Sequence, residues 1–152
     1  MAILMLLSAA AAVALRPALE DAQLRSATGM VVAGLRYARS YAIAHHAETA
    51  LVIETATLAL SVQTRTTDTS EAGSWQTVTT PAGRRRSLPQ GLTVRPTGQG
   101  PSLASSEPFL LIFSALGRTE STALQITDGR GGVHELVVDG VTGRCAPAEE
   151  AQ

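Results

Sequence analysis

The segment Met1-Ala-Ile-Leu-Met-Leu-Leu-Ser-Ala-Ala-Ala-Ala-Val-Ala-Leu15 and the amphipathic run that follows it, as far as His46, decide the fold of this chain. The first segment has no charged residue. As a helix rising about 1.5 Å per residue it would be roughly 22 Å long, against ~30 Å for the hydrocarbon core of a membrane. These features predict a truncated membrane helix. A secretory signal peptide, which would need a basic residue before the apolar core, and a buried core helix are the alternatives.

The second part of this run carries apolar residues at three- and four-residue spacing. They are Leu24, Ala27, Val31, Leu35, Ala38 and Ala42. This spacing predicts one apolar stripe along a long helix. Pro17 predicts a kink or a new first turn, because proline lacks the amide proton that an interior turn uses. Gly29 and Gly34 each weaken a helix by about 1 kcal/mol relative to alanine, so packing along the stripe must hold it.

Short segments with strand composition follow the helix, separated by turn-forming residues. They are Ala50–Glu54, Leu58–Val62, Trp75–Thr79, Leu92–Arg95, Phe109–Phe113, Ala123–Thr127 and Val133–Val138. The first two predict a hairpin, and Asp128–Gly132 predicts a second one. Phe109–Phe113 is the most apolar, which predicts a central strand with both faces covered. One helix followed only by strands predicts an α+β fold, with the helix packed on an antiparallel sheet.

The chain's 152 residues are enough for one domain with an extension. We predict a membrane-anchoring part at residues 1–16, an amphipathic helix at 17–47, a β-rich globular domain at 48–145 and a tail at 146–152. The 12 basic residues are all arginine and are balanced by 13 acids, so the net charge of −1 gives no global attraction to nucleic acid. Cys145 is alone, which excludes an internal disulfide and a cysteine metal cluster.

Four segments carry a resemblance to a known family. They are Leu24-Arg-Ser-Ala27, Leu35-Arg-Tyr-Ala-Arg-Ser-Tyr-Ala-Ile43, Phe113-Ser-Ala-Leu-Gly-Arg118 and Thr142-Gly-Arg144. In this order, within a helix and then strands, they resemble the GspH/FimT family of minor pseudopilins of type II secretion and minor pilins of type IV pili. The family's basic leader, peptidase site and Phe-Thr-Leu-Ile-Glu-like helix start do not precede Met1, and we attribute this to a missing N-terminal segment.

The resemblance implies a structural subunit rather than an enzyme. It implies a helix in the inner membrane, a globular domain in the periplasm, and other pseudopilins or minor pilins as partners, with a secreted protein as a further partner. The alternative within the family is a DNA-binding minor pilin of a type IV pilus that serves DNA uptake. Family members that bind DNA use arginines near a C-terminal Gly-Arg-x-Arg motif, of which only Gly143 and Arg144 are present here.

Arg84, Arg85 and Arg86 form the only run of basic residues, between breakers that place them on or beside a loop. They are either a solvated loop or a contact for phosphates or for an acidic partner surface. Together with Gly143 and Arg144 they are the candidate DNA or partner contacts.

Catalytic, metal and cofactor sites are not expected. His45 and His46 end the helix, where a positive charge is favoured, and His134 is expected at the surface of a strand. Ser114, His134 and Asp128 could be collected as a triad, but no nucleophile-elbow pattern surrounds any serine. Gly129–Gly132 lacks the Gly-Lys-Ser/Thr ending of a phosphate loop.

Overall fold

A computed structural model describes residues 2–65, 73–97 and 108–148, with side chains from Asp21 onward. One helix, α1 (Ala2–His45), forms the N-terminal part, and its helical backbone continues through Pro17. The side chains of the predicted membrane-anchoring part, residues 1–16, lie outside the described ones. Among the described residues, no helix is both long enough and apolar enough to cross a membrane.

The strands that follow form two antiparallel sheets. In chain order they are β1 (Thr49–Glu54), β2 (Ala59–Arg65), β3 (Trp75–Thr77), β4 (Arg86–Ser87), β5 (Leu92–Pro96), β6 (Phe109–Phe113), β7 (Thr122–Asp128), β8 (Val133–Val138) and β9 (Cys145–Pro147). The first sheet has the order β3-β2-β1-β6, with β4 also paired to β2, and the second has the order β5-β7-β8-β9. The helix contacts both sheets, which confirms the predicted α+β fold.

The predicted apolar stripe is the helix face that packs on the sheets. All six of its residues are at most 2% exposed and share one core cluster with residues from both sheets. Gly34 lies on the same buried side, where an added Cβ would stand 3.0 Å from Leu51 Cδ1 and 3.4 Å from Leu60 Cδ1. The missing side chain therefore lets the helix approach β1 and β2 closely, which offsets the low helix propensity of glycine.

The position predicted for Phe109–Phe113 is wrong. This segment is β6, at the edge of the first sheet beside β1, and its residues alternate between buried and exposed. Leu110 and Ile112 are 37% and 44% exposed. An antiparallel sheet needs only one covered face, so a strand can be apolar throughout and still turn alternate side chains to solvent. The strand buried over most of its length is β1, which lies between β2 and β6.

The two predicted hairpins are present as β1–β2 and β7–β8. The register pairs Leu51 with Val62 and Leu124 with Leu136, so the buried residues of neighbouring strands face each other across each sheet. The last strand, β9, starts at Cys145 and pairs with β8 as far as Pro147. Pairing therefore continues two residues into the predicted tail at 146–152, because the backbone of Ala146 and Pro147 lies opposite that of Val137 and Leu136.

Candidate partner and nucleic-acid interfaces

The arginine run at residues 84–86 follows a turn, and its last residue begins β4. The flanking breakers predicted a position on or beside a loop, but they did not predict this short strand. Two of the run's side chains are tied to the backbone of the preceding segment. Arg84 Nε donates to the Thr79 carbonyl at 3.1 Å, and Arg86 Nη2 donates to the Pro81 carbonyl at 2.8 Å. These two exposed side chains therefore stabilise the conformation of their own loop and also remain accessible to solvent.

The third arginine of the run is paired with an acid from the neighbouring hairpin. Arg85 Nη2 donates to Glu54 Oε2 at 2.5 Å and to Thr57 Oγ1 at 2.9 Å. The Thr57 hydroxyl also donates a hydrogen bond to Glu54. This hydrogen bond is the largest cause that lowers the pKa of the Glu54 carboxyl, and Arg85 lowers it further. Glu54 therefore stays ionised and reduces the positive charge that the run presents to an anion.

The other candidate site, Gly143 and Arg144, lies in a tight turn that follows β8. The Asp139 carboxylate accepts hydrogen bonds from the amides of Val141 at 2.8 Å and Thr142 at 3.0 Å. The Gly143 amide donates to the Asp139 carbonyl at 2.7 Å, and the Asp139 amide donates to the Arg144 carbonyl at 2.9 Å. The turn is thus closed at both ends around Asp139.

The two amides of this turn lower the pKa of the Asp139 carboxyl, with Thr142 the larger cause and Val141 next. A carboxyl whose pKa is lower in the folded state adds stability above its unfolded pKa, and this is lost as the pH falls through the folded pKa. We expect Asp139→Asn to lower the melting temperature at neutral pH, and the difference from the unchanged protein to shrink in strong acid. Melting curves across this pH range test it. Glu120→Gln is the matched control, because Glu120 is exposed and forms no ion pair among the described residues.

This turn meets a second glycine turn, and the contact requires both glycines. An added Cβ at Gly143 would lie 2.2 Å from the Gly117 carbonyl oxygen and 2.9 Å from Arg39 Cδ, and one at Gly117 would lie 2.7 Å from Ile43 Cδ1. Both glycines have left-handed backbone, with φ of +62° at Gly143 and +72° at Gly117. We call this contact between the turns and the helix the Gly117–Gly143 joint.

The joint gathers three arginines. Arg118 and Arg144 directly follow the two glycines and are exposed, and Arg39 is half-buried on the helix. The Nε atom of Arg39 is buried without a hydrogen-bond partner. Ion pairs within the described part of the chain involve Arg25, Arg65 and Arg85 and none of these three. Sequence reasoning selected Arg144 and missed Arg39 and Arg118, although the repeated Gly-Arg pair was a signal for Arg118.

The segments that form this joint also lie within the part of the chain that matches a known family. A family model for the type II transport protein GspH matches residues 27–143, from the buried stripe of α1 to the glycine of the last turn. The chain belongs to the GspH family. This confirms the resemblance found in the sequence. A search of the curated proteins found no match.

Solved structures of a minor pseudopilin and of a minor pilin have a similar fold. The minor pseudopilin EpsH from the type II secretion system of Vibrio cholerae matches in two structures, with TM-scores of 0.61 and 0.64 and identities of 16% and 18%. These matches cover 84% and 85% of this chain and 96% and 94% of EpsH. The type IV minor pilin FimU of Pseudomonas aeruginosa matches with a TM-score of 0.54 at 15% identity, over 88% of this chain and 90% of FimU. This GspH-family chain thus has the same fold as a minor pseudopilin and a minor pilin.

The histidines of this GspH-family chain have separate structural surroundings. The ring of His45, the last residue of α1, lies 4.0 Å from that of Tyr41. His46 has a φ of +49°, the left-handed conformation that commonly ends a helix. His134, which we expect at the surface of a strand, is half-buried. Its Nδ1 lies 3.1 Å from Thr28 Oγ1 on the helix. It therefore joins β8 to α1.

The possible triad members likewise act in their own local structures. Ser114 Oγ accepts a hydrogen bond from the Arg118 amide at 3.3 Å within the 114–118 turn. The Asp128 carboxylate closes the β7–β8 hairpin by accepting the amides of Arg130 at 2.9 Å and Gly132 at 2.7 Å, which lower the pKa of the carboxyl. Within the described ranges, no group of three His, Cys, Asp or Glu side chains could hold a metal ion.

Proposed function

We propose that this chain is a non-enzymatic minor subunit of the pseudopilus of a type II secretion system. The observation that carries the proposal is the match of residues 27–143 to the family of the type II transport protein GspH. The EpsH matches support it, since EpsH is a minor pseudopilin of such a system in Vibrio cholerae. In this proposal the N-terminal part of α1 lies in the inner membrane and the two-sheet domain lies in the periplasm. The partners are other pseudopilins and, through the filament, the secreted protein.

The two faces of the helix fit this role. All residues of the stripe from Leu24 to Ala42 are buried against the chain's own sheets. On the opposite side, Ala33, Arg36 and Ser40 are exposed. A filament subunit needs one helix face for its own domain and another for neighbouring subunits, and a single helix with these two faces supplies both.

The alternative is a DNA-binding minor pilin that serves uptake. The FimU match is to a type IV minor pilin, and the arginines of the joint are cationic groups that phosphates could contact. The internal contacts of Arg84, Arg85 and Arg86 and the net charge of −1 weigh against this alternative. A DNA-binding subunit would bind duplex DNA at low salt and lose this binding as salt rises. Replacing Arg144 by alanine, or residues 84–86 together, would then weaken binding. No binding at low salt removes this alternative.

A gene deletion in the source organism tests the proposal. We expect the deletion strain to accumulate normally exported proteins in the periplasm, and a plasmid copy to restore their release into the medium. The matched measurement in the same strain is the frequency of DNA uptake, which should not change. Loss of uptake with normal secretion would contradict the proposal and support the pilus alternative.

A further inference from the structure

The Gly117–Gly143 joint carries the most exposed large apolar side chains of the described residues. Leu116 is 74% exposed and Val141 is 73% exposed, each in one of the two turns that meet there. Ile43, whose Cδ1 lies under Gly117, is 40% exposed on the adjoining helix surface. The turns that present Leu116 and Val141 are held by internal hydrogen bonds, so the backbone that carries these two side chains has a defined conformation.

The same joint holds three guanidinium groups that form no ion pair among the described residues. Arg39 is half-buried, its Nε has no hydrogen-bond partner, and it forms no ion pair within the described residues. A buried donor left without an acceptor costs free energy, so native structures rarely keep one. Arg118 and Arg144 add two further cations without ion pairs among the described residues. The described residues therefore supply no carboxylate to any of the three guanidinium groups of the joint.

We propose that the joint is an interface for a neighbouring pilin-like subunit of the same filament, a proposal that rests on the proposed function. The partner segment would place an apolar side chain against Leu116 and Val141 and a carboxylate against Arg39, with Arg118 and Arg144 at the rim. An apolar centre with a polar rim is the usual composition of a protein interface. A carboxylate can accept two parallel hydrogen bonds from a guanidinium, which fixes the orientation of the partner.

The apolar side chains favour a protein over a nucleic acid as the partner. Contacts to phosphates use cationic and polar groups, and a leucine and a valine at the tips of the turns would gain nothing from facing phosphate oxygens. Against a protein surface, the same two side chains are removed from water while the arginines receive their counter-charge. The joint thus combines exposed apolar side chains with cations, and a partner segment with an apolar side chain and a carboxylate would bind both.

Photo-cross-linking with the full chain in its own cells tests this interface. A benzophenone amino acid is placed at position 116 or 141, and at Val133 as the control, because Val133 is 48% exposed on β8 away from the two turns. We expect positions 116 and 141, but not 133, to join a pilin-like subunit at a peptide that contains Asp or Glu. Arg39→Gln should lower the yield roughly tenfold and Arg39→Lys less, because a hydrogen bond to a charged group is lost.

A charge exchange keeps the test decisive if Arg39→Gln disturbs the fold. Arg39→Glu should abolish the cross-link, and exchanging the partner's cross-linked carboxylate for arginine should restore it. Cross-links to DNA, equal cross-linking from position 133, or a yield independent of residue 39 would overturn the proposal. If secretion requires this chain but positions 116 and 141 give no cross-links, only the interface is rejected. If the joint cross-links to a pilus subunit and secretion is normal in the deletion strain, only the proposed function is rejected.

Discussion

Replacing Leu35 by aspartate is expected to destabilise the globular domain by roughly 5 kcal/mol, enough to unfold a large fraction of it. Leu35 is 1% exposed in the middle of the helix stripe. The change removes about 1.5–3 kcal/mol of apolar burial and places a carboxylate without a partner in the core. Proton uptake by the new carboxyl limits the cost, so the effect should be smaller in acid.

Thermal or urea unfolding of a soluble piece that begins at Glu20 measures this effect. We expect the piece to fold, because the first buried residue among the described side chains is Leu24. Ala33→Asp is the matched control, since Ala33 is exposed on the same helix two residues away. It should cost about 0.7 kcal/mol or less, which is the difference in helix propensity. Equal melting temperatures for Leu35→Asp and the unchanged piece would show that the stripe does not hold the domain.

Replacing Gly143 by alanine should destabilise the domain by about 3 kcal/mol. The left-handed backbone at this glycine costs an L-residue about 1–2 kcal/mol, and the new Cβ would overlap the Gly117 carbonyl oxygen, which forces the two turns apart. Unfolding in urea measures the loss. We also expect the turns to become more accessible to proteases, since their contact is part of what holds them.

Gly91→Ala separates the two causes of this loss. Gly91 also has a left-handed backbone, with a φ of +83°, but an added Cβ there meets nothing within 4 Å. This control should cost only the backbone strain of about 1–2 kcal/mol. If both substitutions cost the same, the contact between Gly117 and Gly143 contributes nothing, and the joint is not a packed unit.

The helix and its packing face could be predicted from the sequence because their signal is local. Residues three or four apart share a helix face, so the spacing from Leu24 to Ala42 identified the six apolar residues that the helix buries, although not Gly34 on the same side. The edge position of β6 could not be predicted in this way. A run of five apolar residues has no alternation to show which side faces water, and the strand order depends on the connections between distant segments.

The candidate sites were predicted less completely, because their geometry is non-local. The arginine run at 84–86 was visible as a cluster, but its ties to Glu54 and to the preceding backbone come from the folded hairpin and loop. The joint brings Gly117 and Gly143 to the helix at Arg39, through contacts that only the closed fold defines. A Gly-Arg pair indicates a turn, but it does not show which other turn it meets.

The composition of the isolated filament tests the central claim most directly. Secretion pseudopili and type IV pili are sheared separately from cells that make both, and peptides of this chain are measured in each fraction by mass spectrometry. We predict that the chain is present in the pseudopilus fraction, in far smaller amount than the main subunit, and absent from the pilus fraction. Its presence in pili alone, or its retention in the membrane with neither filament, would contradict the assignment to the secretion pseudopilus.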